Sequence, residues 1–153
     1  KIIGLDFSQK MLNIAKSKIT DERVQFKKAD LTKDWAIENQ FADLVTSSLT
    51  LEHIYDLSHV FNQANQVLKT KGLIFISELH PFRQYKGTKA RFETENGIEE
   101  LETFTHHISD YVNNAERNGF RILEIKEWFD SSSKKDLPRL ISFVFEKSRN
   151  TKY

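Results

Sequence analysis

The chain has 153 residues, 39% of them apolar, and its 23 Lys and Arg almost balance its 22 Asp and Glu, for a net charge of +1. This length and apolar content suit one domain with a real core, expected over residues 1–153. The small net charge provides no field to attract nucleic acid or an anionic membrane. The absence of cysteine excludes disulfide frameworks, thiolate metal sites and cysteine nucleophiles, and fits a cytoplasmic protein. No apolar run approaches the ~20 residues of a membrane span, so we expect a soluble protein with a small-molecule partner.

In chain order, apolar runs and periodic stretches alternate. Strands are predicted at 1–5, 24–28, 41–47, 72–79, 120–128 and 140–146. Helices are predicted from Ser8 onwards, over 57–68 with Lys71 and Gly72 closing the helix, and over 109–118 with Tyr111, Val112 and Ala115 inward. A loop or short helix is expected at 31–40.

The order of these elements predicts an α/β fold. The unbroken apolar run of 72–79 is typical of a strand buried on both faces of a parallel sheet. The last two strands, with a polar turn at 131–136 between them, are expected to pair antiparallel. Residues 81–107 are polar and aperiodic and are too long for an ordinary connection, so we expect a lid or an acceptor-site excursion there.

Acidic side chains follow two of the predicted strands. Asp6 comes directly after the first strand, and Asp30 ends the second with Leu31 beside it. In open α/β sheets a ligand binds beyond the carboxyl ends of the strands. There, Asp6 can accept hydrogen bonds from a ribose diol and Asp30 from an adenine amino group. The alternative is that both residues only cap or turn the chain, as Asp often does.

Five segments resemble successive parts of class I S-adenosylmethionine-dependent methyltransferases in order and spacing. They are GLDFSQKMLNIAK (4–16), VQFKKADL (24–31), FADLVTSSLTLEHI (41–54), VLKTKGLIFISE (67–78) and GFRILEI (119–125). The resemblance implies a Rossmann-like, mostly parallel sheet with helices on both faces and a C-terminal antiparallel strand pair. It begins at the family's second strand, so the first strand and the glycine-rich loop are expected to be missing. Unpaired strand edges then favour a homodimer.

The resemblance also implies a cofactor, S-adenosylmethionine, and an activity, methyl transfer to a small-molecule acceptor. The positions that match the family's cofactor site divide by the part of the cofactor they contact. They are Asp6 with Phe7 and Met11 at the ribose, Asp30 and Leu31 at the adenine, and Ser47 and Leu49 at the methionine part.

The acceptor side is expected around the histidines that follow two strands. His53 follows the third strand and His80 the apolar strand, with Phe82 next to it. His80 is the candidate for holding or deprotonating the acceptor, although structural histidines are common. The sequence has no HExxH motif and no regular ligand spacing, so no metal site is predicted.

Two other classes of function compete with methyl transfer. A truncated, inactive methyltransferase-like domain that serves as an interaction or dimerisation module fits the missing glycines. A nucleotide-binding oxidoreductase uses similar acids but also needs the glycine loop. Tyr85 and Lys89 have the spacing of short-chain dehydrogenases, but Gly87 lies between them in an aperiodic segment, so the spacing is interpreted as coincidence. The sequence contains no G-x-S-x-G nucleophile elbow, so hydrolase chemistry is not expected.

Overall fold

The computed structural model of the chain describes residues 1–86, 91–94, 97–100, 102–130 and 137–148, with the backbone alone in 91–94 and 97–100. The chain forms two compact units, Lys1–Ile37 and Glu38–Tyr153. The single domain expected over 1–153 stays a prediction.

The first unit is a strand, a helix and a second strand. Its elements are β1 (Ile2–Asp6), α1 (Gln9–Lys18) and β2 (Val24–Lys28). Ser8 caps α1 by accepting the N–H of Met11 at 3.3 Å. β1 and β2 pair in parallel, with Asp6 opposite Lys28. Gly4 permits close packing here, because a Cβ at that position would lie 2.9 Å from the ring of Phe26.

The second unit contains a four-stranded sheet. Its elements are β3 (Ala42–Ser48), a 3-10 turn (Leu51–His53), α2 (Leu57–Val67), β4 (Leu68–Leu79), α3 (Pro81–Tyr85), β5 (Arg91–Thr94), β6 (Gly97–Glu100), α4 (Ile108–Arg117), β7 (Phe120–Trp128) and β8 (Leu140–Lys147). The strand order is β3-β4-β8-β7, with β3 parallel to β4 and β8 antiparallel to both of its neighbours. β5 and β6 form a separate antiparallel pair. These elements confirm the predicted α/β class and the late antiparallel pair.

The core of the second unit contains a cluster of aromatic rings and lies between the sheet and the helices α2 and α4. Phe61 on α2 contacts Phe145 on β8 edge to face, with ring centroids 5.6 Å apart. Tyr111 on α4 stacks on Phe143 at 4.9 Å. Both helices therefore cover the face of the sheet to which these β8 side chains belong.

The end of the predicted helix at Lys71 and Gly72 was wrong. α2 ends at Val67, and Leu68 already has extended backbone (φ −77°, ψ 139°) and pairs with Ala42 on β3. Leu68 continues the apolar stripe of the helix and also suits a buried strand, so periodicity alone does not separate the two states. Lys71 instead takes a left-handed conformation (φ 64°) within β4.

The prediction that the strand at 72–79 is buried on both faces was also wrong. Ile74 and Ile76 are buried on the face beneath the helices, while Phe75 between them is 36% exposed on the other. Side chains alternate along a strand, and among the described residues of this unit α2 and α4 cover one face.

The excursion at 81–107 contains regular structure that its aperiodic sequence did not reveal, namely α3 and the β5–β6 pair. The elements are too short for a helical or strand period to register. Gly87, Lys89, the turn at 131–136 and the tail from 149 lie outside the described residues. Within the described part of the chain, none of the helices has the length and apolarity required to span a bilayer.

Candidate functional site

Asp6 lies at the carboxyl end of β1. Its Oδ1 accepts the N–H of Ser8 at 2.7 Å, which orients the carboxylate at the start of α1. Its Oδ2 accepts no hydrogen bond from the part of the chain that the structure describes. The neighbouring side chain of Phe7 is 75% exposed, and that of Met11 is also exposed. A carboxylate oxygen beside two exposed apolar side chains can bind a hydroxyl of a ligand that also has an apolar surface.

A small cavity of about 170 Å³ opens beside this carboxylate. Its lining residues come from β1, β2 and α1 and are Gly4, Leu5, Asp6, Met11, Leu12, Ala15 and Phe26. The wall is mostly apolar, with Asp6 as its acidic side chain. Such a combination suits a ligand that is partly apolar and carries a hydrogen-bond donor.

Asp30 lies two residues beyond β2, at the same end of the parallel pair as Asp6. The pairing continues past the strands, because the N–H of Ala29 donates to the carbonyl oxygen of Asp6 at 3.0 Å. Oδ1 of Asp30 accepts from the N–H and the hydroxyl of Thr32, at 3.0 and 2.6 Å, and these hydrogen bonds, with a smaller contribution from Lys33, lower the pKa of the carboxyl. Asp30 is therefore ionised at neutral pH and partly engaged in a local turn, as the alternative interpretation expected.

The residues predicted to face the methionine part of the cofactor belong to the second unit. Ser47 lies in β3 opposite Ile76, and its hydroxyl is buried without a hydrogen-bond partner among the described residues. Leu49 follows β3 in a left-handed conformation (φ 51°) with its side chain 48% exposed. A leucine in this region is strained, and such strain is often found at functional sites.

The predicted acceptor residues also lie in the second unit, in two different environments. His80 is fully buried: its Nδ1 accepts the N–H of Phe82 at 3.2 Å, and its Nε2 lies 3.0 Å from Oε1 of Glu127. Both ring nitrogens are thus occupied, as in a structural histidine. Phe82 is 49% exposed on α3, and Nδ1 of His53 lies 3.0 Å from the carbonyl oxygen of Glu102.

A pair of buried carboxylates, missed by the sequence analysis, lies at the carboxyl ends of β3 and β4. Oε1 of Glu78 accepts the N–H groups of Thr50 and Leu51, each at 3.1 Å, while its Oε2 is buried without a partner among the described residues. Glu52 is also buried, and its Oε2 accepts from Nε2 of Gln84 on α3 at 3.2 Å. Burial, and to a smaller extent the charge of Glu52, raises the pKa of Glu78 to about 7.

No local signal in the sequence marks this pair. Glu78 lies between Ser77 and Leu79 near the end of an apolar strand, and its hydrogen-bond partners are 27 and 28 residues away. Within the described residues, no group of three or more His, Asp or Glu could hold a metal ion.

Residues 1–76 match the family described as methyltransferase domain. Those 76 residues are just under half of the 153-residue chain. They include β1, β2 and β3 and the acids at the ends of the first two strands.

A curated relative, demethylmenaquinone methyltransferase of Bacillus cereus, is 34% identical to this chain over 82 residues, which is 51% of this chain and 34% of the relative. The chain thus spans about a third of the length of that relative.

Two solved structures extend the similarity to nearly the whole chain. An S-adenosylmethionine-dependent methyltransferase from Mesorhizobium loti has a TM-score of 0.78 at 21% identity and covers 94% of this chain and 79% of its own. A protein from Listeria monocytogenes assigned to the same class has a TM-score of 0.82 at 22% identity, with 97% and 81% covered. At these identities the similarity shows the fold, which is that of class I methyltransferases.

Proposed function

We propose that this chain is the catalytic domain of an S-adenosylmethionine-dependent methyltransferase that acts on a small molecule. One observation carries the proposal: Asp6 and Asp30 lie at the carboxyl ends of two parallel strands, within the residues that match the methyltransferase family. This is the edge at which α/β sheets bind their ligands.

The residues of the first unit suit the adenosine part of the cofactor. The free Oδ2 of Asp6 can accept from a ribose hydroxyl, while Phe7 and Met11 present exposed apolar surface beside it. Asp30 keeps Oδ2 near Lys33, at 3.4 Å, and remains exposed enough to accept from an adenine amino group, with Leu31 alongside. Ser47 and Leu49 are proposed for the methionine part.

The cofactor would supply an activated methyl group, and its transfer is an in-line displacement at carbon. The protein then contributes mainly proximity, orientation and, for acceptors that need it, a base. The ring of His80 is buried and hydrogen-bonded at both nitrogens, so it suits the positioning of α3 better than proton transfer. We therefore assign Phe82 and His53 to acceptor contact, and His80 to holding Phe82 in place.

The acceptor is proposed to be apolar and aromatic. Phe82 and Tyr85 on α3 are both about half exposed and contact each other edge to face, with centroids 6.0 Å apart. Exposed rings of this kind favour a flat ligand. Since a relative carries the name demethylmenaquinone methyltransferase, a soluble naphthoquinol is the first acceptor to test.

Location and assembly complete the proposal. A chain without cysteine fits the cytoplasm. A homodimer is proposed through strand edges, since β3 ends one side of the four-stranded sheet and Leu44 on it is exposed.

Calorimetric titration of the full chain with S-adenosylmethionine, S-adenosylhomocysteine and NADP tests the function. We expect binding of the first two ligands and none of NADP. Substitutions D6N and D30N should each weaken binding about tenfold, since each removes a charged hydrogen-bond acceptor. The matched control is D21N, because Asp21 precedes β2 at the opposite end of the strand pair and bonds to Arg23.

Three outcomes would count against the proposal. Binding of NADP instead would favour an oxidoreductase. If the chain binds none of the three ligands, the interaction module would be favoured. Equal weakening by D21N and D6N would remove the assignment of the strand-end acids.

A further inference from the structure

The turn after β3 is strained and is held by one buried side chain. Leu49 has a positive φ of 51°, and its N–H donates to the carbonyl oxygen of Ser77 on β4 at 2.9 Å. The next two N–H groups, of Thr50 and Leu51, both point at Oε1 of Glu78. Successive residues of the turn are thus fixed to successive residues of β4.

The acceptor in this arrangement is far from solvent. Glu78 is 1% exposed, and two consecutive amides converge on one of its oxygens. Removal of this acceptor would leave both amides without a partner in a buried site, which is unfavourable. A leucine in the left-handed region costs roughly 1–2 kcal/mol and persists only where its surroundings determine it.

The same cluster reaches the helix of the proposed acceptor side. Glu52, inside the 3-10 turn, accepts from Gln84 of α3, which also carries Phe82. The carbonyl oxygen of Glu52 accepts the N–H of Phe104 at 2.7 Å. The turn held by Glu78 is therefore connected directly to the segments at 81–85 and 102–106.

We propose that Glu78 is a positioning residue for methyl transfer, which holds Leu49 in its left-handed conformation and thereby sets the affinity for the cofactor. This proposal rests on the proposed function, because Leu49 is the residue assigned to the methionine part. Glu78 acts through the turn and needs no contact with either substrate. Without it, the turn relaxes to unstrained conformations, and only the fraction of molecules with the native turn binds the cofactor.

The test compares three variants of the full chain in two measurements. E78L removes the acceptor and keeps the side-chain volume, with E78A as a second truncation should E78L not fold. E78Q keeps an oxygen that accepts the same two N–H groups. E146A is the control, because Glu146 is a half-buried carboxylate of the same sheet that pairs with Arg121 and lies opposite Leu73 of β4, five residues before Glu78.

The first measurement is the affinity for S-adenosylhomocysteine by calorimetry. We expect E78L to bind about tenfold more weakly than the native chain, the factor that corresponds to the strain of one left-handed leucine. E78Q should stay within about threefold, because its amide oxygen replaces Oε1. A role in overall stability alone would leave the affinity of folded E78L unchanged, and that result would overturn the proposal, as would E78Q binding as weakly as E78L.

The second measurement is the hydrogen exchange of the Thr50 and Leu51 amides by NMR, which needs no ligand. Exchange should be at least about tenfold faster in E78L, but not in E78Q or E146A. If the native chain binds no cofactor, the proposed function fails on its own, while these two amides still test whether Glu78 holds the turn. Unchanged exchange in E78L would overturn that claim.

Discussion

The ammonium group of Lys147, at the end of β8, donates a hydrogen bond of 2.8 Å to the carbonyl oxygen of Leu68, the residue that follows α2 and begins β4. It also donates to the carbonyl oxygen of Asn65 at 2.5 Å. The last carbonyls of a helix lack partners within it, so a cation placed there satisfies them and interacts favourably with the helix dipole. One side chain therefore joins a helix end, the central strand and the last strand.

We expect K147M to lower the free energy of unfolding by about 2–3 kcal/mol, since one buried and one partly buried carbonyl lose a charged donor. Urea denaturation at pH 7 measures the change. The control is K69M, because Lys69 neighbours the same helix end but pairs with the exposed Asp43 and should contribute about 0.5 kcal/mol or less. Equal effects of the two substitutions would show that the contact of Lys147 with the helix end contributes no more stability than an exposed ion pair.

Local pattern was sufficient for much of the fold. β2 spans 24–28 as predicted, because the apolar residues Val24 and Phe26 alternate with polar ones, as in a half-buried strand. α1 begins after Ser8, a residue type that accepts an N–H at helix starts. The strand-end acids Asp6 and Asp30 were found because their position relative to the strands is a local property.

The features that the sequence did not predict depend on contacts between residues far apart in the chain. Leu68 continues the stripe of α2 but is taken into β4 by pairing with Ala42, 26 residues earlier. Glu78 accepts hydrogen bonds from the amides of residues 50 and 51, and the ring of His80 lies against Glu127, 47 residues later. No pattern within a window of a few residues contains such contacts.

His80 provides a test of positioning against proton transfer. H80N keeps a side-chain oxygen that can cap α3 but loses the hydrogen bond to Glu127. We expect the free energy of unfolding to fall by about 1–2 kcal/mol, while the rate of methyl transfer stays within about tenfold of the native rate. The reason is that a buried ring with hydrogen bonds at both nitrogens is not the base. E127Q, which keeps a hydrogen-bonding group, should change both quantities less. A loss of rate of about a thousandfold in H80N at unchanged cofactor affinity would restore His80 as the catalytic base.

The pKa of Glu78 predicts how stability depends on pH. Burial raises this pKa from its ordinary 4.5 to about 7, with Glu52 of the 3-10 turn adding to the shift. Tyr111 of α4 is also affected by the charge of Glu78, and its own pKa is raised mainly by burial. Between pH 4.5 and 7 the folded chain thus binds more protons at Glu78 than the unfolded chain, so stability from this group is full below 4.5 and declines up to 7.

The decline should reach about 3 kcal/mol, at about 1.4 kcal/mol per pH unit. Urea denaturation of the native chain and E78Q at several pH values between 4 and 8 isolates this contribution, because other titrating groups are common to both. The difference in the free energy of unfolding, E78Q minus native chain, should rise with pH across this window. A constant difference would mean that Glu78 titrates alike in the folded and unfolded chains.

The strain at Leu49 gives a prediction in which stability and affinity change in opposite directions. L49G removes the steric cost of a positive φ and should raise the free energy of unfolding, by up to about 1 kcal/mol after the greater flexibility of glycine in the unfolded chain is counted. It also removes the exposed side chain proposed for the methionine part, so the affinity for S-adenosylhomocysteine should fall. Gln40 offers a matched control, because it is exposed, belongs to the same unit and has nearly the same φ, 54°. Q40G should raise stability by a similar amount and leave the affinity unchanged. Thermal unfolding and calorimetry on both variants separate the two effects, and an L49G variant that binds as tightly as the native chain would show that this strained leucine does not contact the cofactor.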